Sequence, residues 1–143
     1  MIFIIDGVGN CCTLSWHSGK VKRVVRSTLA AEGLSLCEGV EDAIFLKNIL
    51  LEMIPTQSAA TITCYVDNHD VFDSIYSTKL VDDKRLRIDI ASLKEFISNG
   101  EIDSVRWCRG FLQLANGMTK KGAKIDELMS ILQTGVLDLT CMK

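Results

Sequence analysis

The chain has 143 residues, 48% of them apolar and 24% charged, with a formal net charge of −2. That balance belongs to a folded domain with enough apolar content for its own core, and it excludes collagen-like, coiled-coil and intrinsically disordered chains. The longest apolar runs are a few residues, so neither a membrane span of about 20 residues nor a signal-peptide core is expected. The expectation is a soluble intracellular protein, cytoplasmic or nuclear, with no membrane partner.

In chain order, residues 1–5 form a short apolar strand, Asp6-Gly7-Val8-Gly9-Asn10 carries hairpin-turn chemistry, and residues 11–16 return as the partner strand. From Ser27 or Thr28, either able to cap, Leu29, Gly33, Leu36, Val40, Ile44, Lys47, Leu51 and Ile54 recur at three- and four-residue steps. This predicts a long amphipathic helix ending at Pro55. Residues 61–66 are rich in β-formers and too short for a helix, so they predict a buried strand that stops at Asp67. A short helix over 70–76 follows, then a helix marked by Leu86, Ile90, Leu93 and Ile97 and stopped by Asn99-Gly100, then a strand over 102–108. Residues 113–120 and 125–132 predict two further helical pieces, and 136–139 a short apolar tail. The pattern predicts a single α/β domain in which helices cover a mixed sheet.

Two carboxylates stand out. Asp67 lies at the carboxyl end of a buried strand, where open α/β sheets bind ligands; its structural alternative is to cap the next helix with Asn68 and Asp70. Glu32 sits among Leu29, Ala30, Ala31 and Leu34 early in the long helix, and a buried acid there needs a partner or a metal. Its alternative is a solvated acid favoured by the helix dipole. Lys20, Lys22, Arg23 and Arg26 form a basic stretch beside Trp16 and His17, and Lys79, Lys84, Arg85 and Arg87 form a second. Either could neutralise phosphates or remain an ordinary solvated surface. His69 invites a general-base role but reads better as a turn residue. Cys11 and Cys12 are adjacent and Cys37, Cys64, Cys108 and Cys141 are scattered, without the spacing that would enclose zinc, so the six read as reduced thiols.

Several segments, taken in order, carry a family resemblance: Thr13-Leu14-Ser15-Trp16, Arg26-Ser27-Thr28-Leu29-Ala30-Ala31-Glu32 and Tyr65-Val66-Asp67-Asn68. Lys84-Arg85-Leu86-Arg87-Ile88-Asp89-Ile90, Asn99-Gly100-Glu101-Ile102 and Leu114-Ala115-Asn116-Gly117-Met118-Thr119-Lys120 extend it. Over about residues 1–135 the chain resembles the ribonuclease H domain of copia-type retrotransposon Pol polyproteins. The resemblance implies a ribonuclease H-like mixed sheet with flanking helices. It also implies four carboxylates that hold two magnesium ions and cut the RNA strand of an RNA–DNA hybrid. It assigns the helix carboxylate to Glu32 and the strand-end carboxylate to Asp67, and it places Asn116 where the fourth acid belongs.

The chain opens at what the resemblance makes the first hairpin strand, so the preceding central strand and its aspartate are absent, and Asp6 falls in the turn. With two formal negatives in place of four, at most one weakly held magnesium and little or no hydrolysis are expected. The gap left in the sheet predicts that the hairpin pairs directly with residues 61–66, or that residues 136–139 fill the space. The expected function is therefore a truncated, inactive ribonuclease H-like domain. Its expected nucleic-acid contacts are Lys20, Lys22, Arg23, Arg26, Arg85 and Arg87, and its expected partners are an RNA–DNA hybrid and a reverse transcriptase domain. Two other functions compete with it. One is a non-catalytic nucleic-acid-binding or connector module. The other is a protein-interaction remnant under relaxed constraint, which Gly33 and Gly117 would fit, since a glycine inside a helix costs about 1 kcal/mol against alanine.

Overall fold

The computed structural model describes residues 1–54, 60–122 and 124–137. The elements in chain order are β1 (Ile2–Ile5), β2 (Cys11–Ser15), α1 (Thr28–Met53), β3 (Thr63–Val66), α2 (His69–Tyr76), α3 (Lys84–Ser98), β4 (Ser104–Trp107), α4 (Asn116–Thr119) and α5 (Asp126–Thr134). Helices and strands are thus mixed along the chain, as the sequence predicts. They are grouped into two compact units, Met1–Lys20 with Cys108–Lys143, and Val21–Trp107. Pro55, Cys141 and the end of the predicted tail lie outside the described residues.

In the first unit β1 and β2 form an antiparallel hairpin, with Phe3 opposite Thr13 and Ile5 opposite Cys11. Asp6 builds the turn. Its Oδ1 accepts from the backbone of Val8 and Asn10, both at 2.9 Å, and its Oδ2 accepts from the Asn10 amide at 2.7 Å. These bonds, the Asn10 amide first, hold the Asp6 carboxyl below its ordinary 3.8. Gly9, at φ 94, supplies the left-handed residue that the turn requires. Helix α5 ends on Gly135 at φ 67, after which Val136 bridges to Asn10 in antiparallel fashion and the Leu137 N–H donates to Gly9 O at 3.0 Å. The predicted helix over 113–120 contracts to α4, four residues without a side-chain cap. The preceding turn is closed by short-range bonds such as Asn116 N–H to Gln113 O at 3.0 Å.

In the second unit Ser27 caps α1, its hydroxyl accepting from Ala30 N–H at 3.1 Å. Ala30, Gly33, Leu34, Cys37 and Val40 are buried along the first half of α1. The predicted stripe of Leu29, Leu36 and Ile44 flanks them, half-buried against the core. Lys47, out of place in an apolar stripe, donates to Glu101 O at 2.8 Å and so closes a carbonyl beyond α3. Strands β3 and β4 pair in parallel, Cys64 opposite Val105 and Val66 opposite Trp107. The core gathers Val40, Val71, Ile75, Leu86, Ile90, Leu93, Ile102 and Val105. Each of these large side chains contributes about 1.5–3 kcal/mol on leaving water. Asn99 and Gly100, the latter at φ 73, stop α3 where the sequence predicts.

One expectation is corrected. Among the described residues the strands form two separate two-stranded sheets rather than one mixed sheet. Among the described residues the strand partner of β3 is β4. Val136, emerging from the Gly135 cap, is drawn onto Asn10 of the hairpin, and the end of the predicted tail lies outside the described residues. The glycines are not slack. A Cβ on Gly33 would stand 2.7 Å from Leu86 Cδ1, and one on Gly117 2.9 Å from Ile125 Cγ2, so each absence of a side chain permits a close approach.

Candidate functional site

Asp67 is the half-buried residue directly after β3, in the second unit. The capping role that competes for it belongs to its neighbour: Asn68 Oδ1 accepts from Asp70 N–H at 3.0 Å and Val71 N–H at 3.2 Å. The strand end therefore hands the chain to α2 through Asn68, and the Asp67 carbonyl receives Trp107 Nε1–H from the end of β4 at 3.3 Å. Glu32 lies in the first turns of α1 but is exposed, at the rim of the buried stripe between half-buried Leu29 and Leu36. The buried acid that its apolar neighbours predict is not there, because the helix turns Gly33 and Leu34 inward and Glu32 outward. Asn116 belongs to the first unit, where its amide donates to Gly110 O at 2.7 Å.

Glu32 and Asp67 thus share a unit. Among the described residues no group of three or more His, Cys, Asp or Glu side chains gathers to hold a metal ion. No step through magnesium is derived from these acids.

The basic stretch divides between the units: Lys20 closes a segment of the first, and Lys22, Arg23 and Arg26 open the second. Lys20, Lys22, Arg26 and Arg85 are exposed. Arg23 is committed elsewhere, since its guanidinium pairs with Asp89, a buried residue of α3, and pins the segment before α1 to that helix. The pairing also pushes the guanidinium pKa up. Arg87 donates through Nε and Nη2 to Val81 O at 3.0 and 2.8 Å, tying the start of α3 to the loop before it. A cleft of about 490 Å³ beside Ser27 is lined by Asp70, Asp73, Asp82 and Asp83 together with Lys79. Arg26 and Arg85 lie near enough to Asp83 to help lower its pKa, although its hydrogen bonds from Leu86 and Arg85 N–H are the larger cause. Basic and acidic groups are therefore interleaved here, which weakens the field that either would present alone.

A second cleft, of about 420 Å³, is lined by His69, Phe72, Tyr76, Val105, Arg106 and Trp107. His69 is the first residue of α2 rather than a turn residue, and its Nδ1 lies 3.0 Å from Asp73 Oδ2. Its ring meets Trp107 at 5.5 Å and 61°, and Phe72 meets Tyr76 at 4.9 Å and 50°. The Tyr76 hydroxyl donates to Val105 O at 2.9 Å and accepts from Val105 N–H at 3.0 Å, so one side chain satisfies both backbone polar groups of Val105. The sequence carries one signal for this cluster: positions 69, 72 and 76 fall on one face of a helix.

The cysteines behave as inert thiols where they are buried. Burial pushes Cys64, and with added repulsion from Glu41 also Cys37, up to about 11.

No family sequence model, curated protein or solved structure matches the chain. Among the described residues no helix is long and apolar enough to cross a membrane.

Proposed function

We propose that this chain is a ribonuclease H-like domain of retroelement descent that holds an RNA–DNA hybrid through exposed basic side chains and does not cleave it. The observation that carries the reading is Asp67 at the carboxyl end of a parallel strand, in the unit whose long helix bears Glu32. That end of the strands is where α/β arrangements take ligands. Lys22, Arg26 and Arg85, exposed in the same unit, supply the cations for a phosphate backbone, while Arg23 holds the segment that presents two of them.

The absence of cleavage follows from charge. Hydrolysis by a metal pair needs several carboxylates to offset two divalent ions. Asn116 supplies an uncharged amide at one of those positions, and its N–H₂ group holds the Gly110 carbonyl.

The test is binding of a labelled hybrid over a salt series, followed by incubation with magnesium. Binding whose log K falls steeply with log salt, with the RNA left intact, is the expected result. The triple variant Lys22→Ala, Arg26→Ala, Arg85→Ala is expected to flatten that slope by about 0.9 per lost phosphate contact. Asn116→Asp is expected to remain inactive and to fold less stably, because a carboxylate cannot donate to Gly110 O. No binding at low salt, or a cut RNA strand, overturns the reading.

A further inference from the structure

The geometry points to a second nucleic-acid contact: the cleft between α2 and the end of β4 stacks one base of an unpaired strand, with Arg106 on the adjoining phosphate. This rests on the reading of the domain as a nucleic-acid binder and names a different part of the ligand, a single-stranded base rather than the duplex backbone.

Three observations carry it. The indole of Trp107 is oriented in advance by its bond to the Asp67 carbonyl and by the edge of His69, yet the residue remains 39% exposed. Phe72 and Tyr76, tilted by 50° and so not stacked flat on each other, add aromatic surface to the same cleft. At about 420 Å³ the space falls in the range of sites for small flat ligands, about 300–1000 Å³. Base–aromatic stacking of this kind is what binds unpaired strands elsewhere.

The charge then fits the class of ligand. Arg106 is an exposed cation on the cleft wall, its Nε only 3.4 Å from Ser104 Oγ, and among the described residues it makes no ion pair. A guanidinium beside aromatic faces suits a nucleotide, which presents a π-face and an anion together.

The hydrogen-bonding groups also predict how selective the site is. Trp107 Nε1–H is spent on Asp67 O, the Tyr76 hydroxyl on Val105, and His69 Nδ1 on Asp73. These groups are not directed at the edge of a base, so the site reads the π-face and distinguishes bases weakly.

The chain has two tryptophans, Trp16 and Trp107, so Trp16→Phe leaves Trp107 as the sole indole reporter. This protein is titrated with short single-stranded oligonucleotides of thymine or adenine, with a strand of equal length lacking bases, and with a blunt RNA–DNA hybrid. Saturable quenching of Trp107 by both base-bearing strands, at affinities within about threefold of each other, is expected. The abasic strand and the hybrid should leave the fluorescence unchanged. Arg106→Ala should lower the salt slope for the single strand by about 0.7. Trp107→Leu, followed by anisotropy of a labelled strand, should weaken binding on the order of tenfold. Circular dichroism establishes that each variant is folded.

Absence of saturable quenching by a base-bearing strand, or equal binding of the abasic strand, overturns the inference. If the hybrid binds while single strands leave Trp107 silent, the cleft proposal fails and the domain reading stands. If single strands quench and the hybrid does not bind, the domain reading falls and the cleft stands.

Discussion

Tyr76→Phe removes one oxygen and keeps the ring. In the second unit that oxygen serves the backbone of Val105 twice, donating to its carbonyl at 2.9 Å and accepting from its N–H at 3.0 Å. Val105 is 2% exposed with Tyr76 in place, so its backbone groups rely on the hydroxyl rather than on water in the parent. A net hydrogen bond contributes about 1 kcal/mol, and a buried group left without a partner costs about 1–3 kcal/mol. Losing both bonds should therefore destabilise the unit by about 2 kcal/mol, roughly a thirtyfold change in the unfolding equilibrium. The Phe72 contact, 4.9 Å between ring centroids, is retained in the variant and contributes nothing to the difference. Urea denaturation should show a lower midpoint with an unchanged m-value, and the Val105 amide should exchange its hydrogen faster than in the parent. A loss below about 0.5 kcal/mol, with Val105 exchange unaltered, would mean that the Val105 backbone finds other partners, and the account of Tyr76 as its satisfier would be wrong.

Gly33→Ala should destabilise although alanine favours helix. Crowding Leu86 Cδ1 at 2.7 Å in a filled core costs about 1–3 kcal/mol, against about 1 kcal/mol gained in helix propensity. Gly39→Ala on the same helix, where nothing lies within 4 Å, should stabilise by about 1 kcal/mol, and equal effects at the two positions would refute the packing argument. For pH, Asp83 Oδ1 accepts from Arg85 N–H at 2.8 Å and Leu86 N–H at 3.2 Å, which holds its carboxyl below the ordinary 3.8. A pKa lower in the folded than in the unfolded state gives stability that is present above about 3.8 and is lost as pH falls through the lower, folded value. Asp83→Asn keeps a capping oxygen and does not titrate, so its acid denaturation curve should be shallower than the parent's; an identical slope would dismiss Asp83 as a contributor.

Elements whose causes are local can be read from the chain alone. The Asp6–Asn10 turn, a cap at Ser27 or Thr28, of which the structure uses Ser27, the strand that ends before Asp67 and the Asn99-Gly100 stop each depend on residues a few positions apart, and all four stand where the sequence predicts them. Asp67 was legible as a strand-end acid for the same reason. Glu32 stands on the predicted helix, and of its two sequence readings, buried acid or solvated acid, the structure shows the solvated one, because apolar neighbours in sequence do not fix which way a side chain turns once the buried face is chosen. Only the tertiary structure decided what depends on distant partners. It paired β3 with β4 and left the hairpin with Val136, committed Arg23 to Asp89, fitted Gly33 against Leu86, and brought Trp107 to the aromatic face of α2. Periodicity announces that a strand or helix has a face to bury, but the partner for that face is selected by chain closure and packing over long separations, which no short window of sequence encodes.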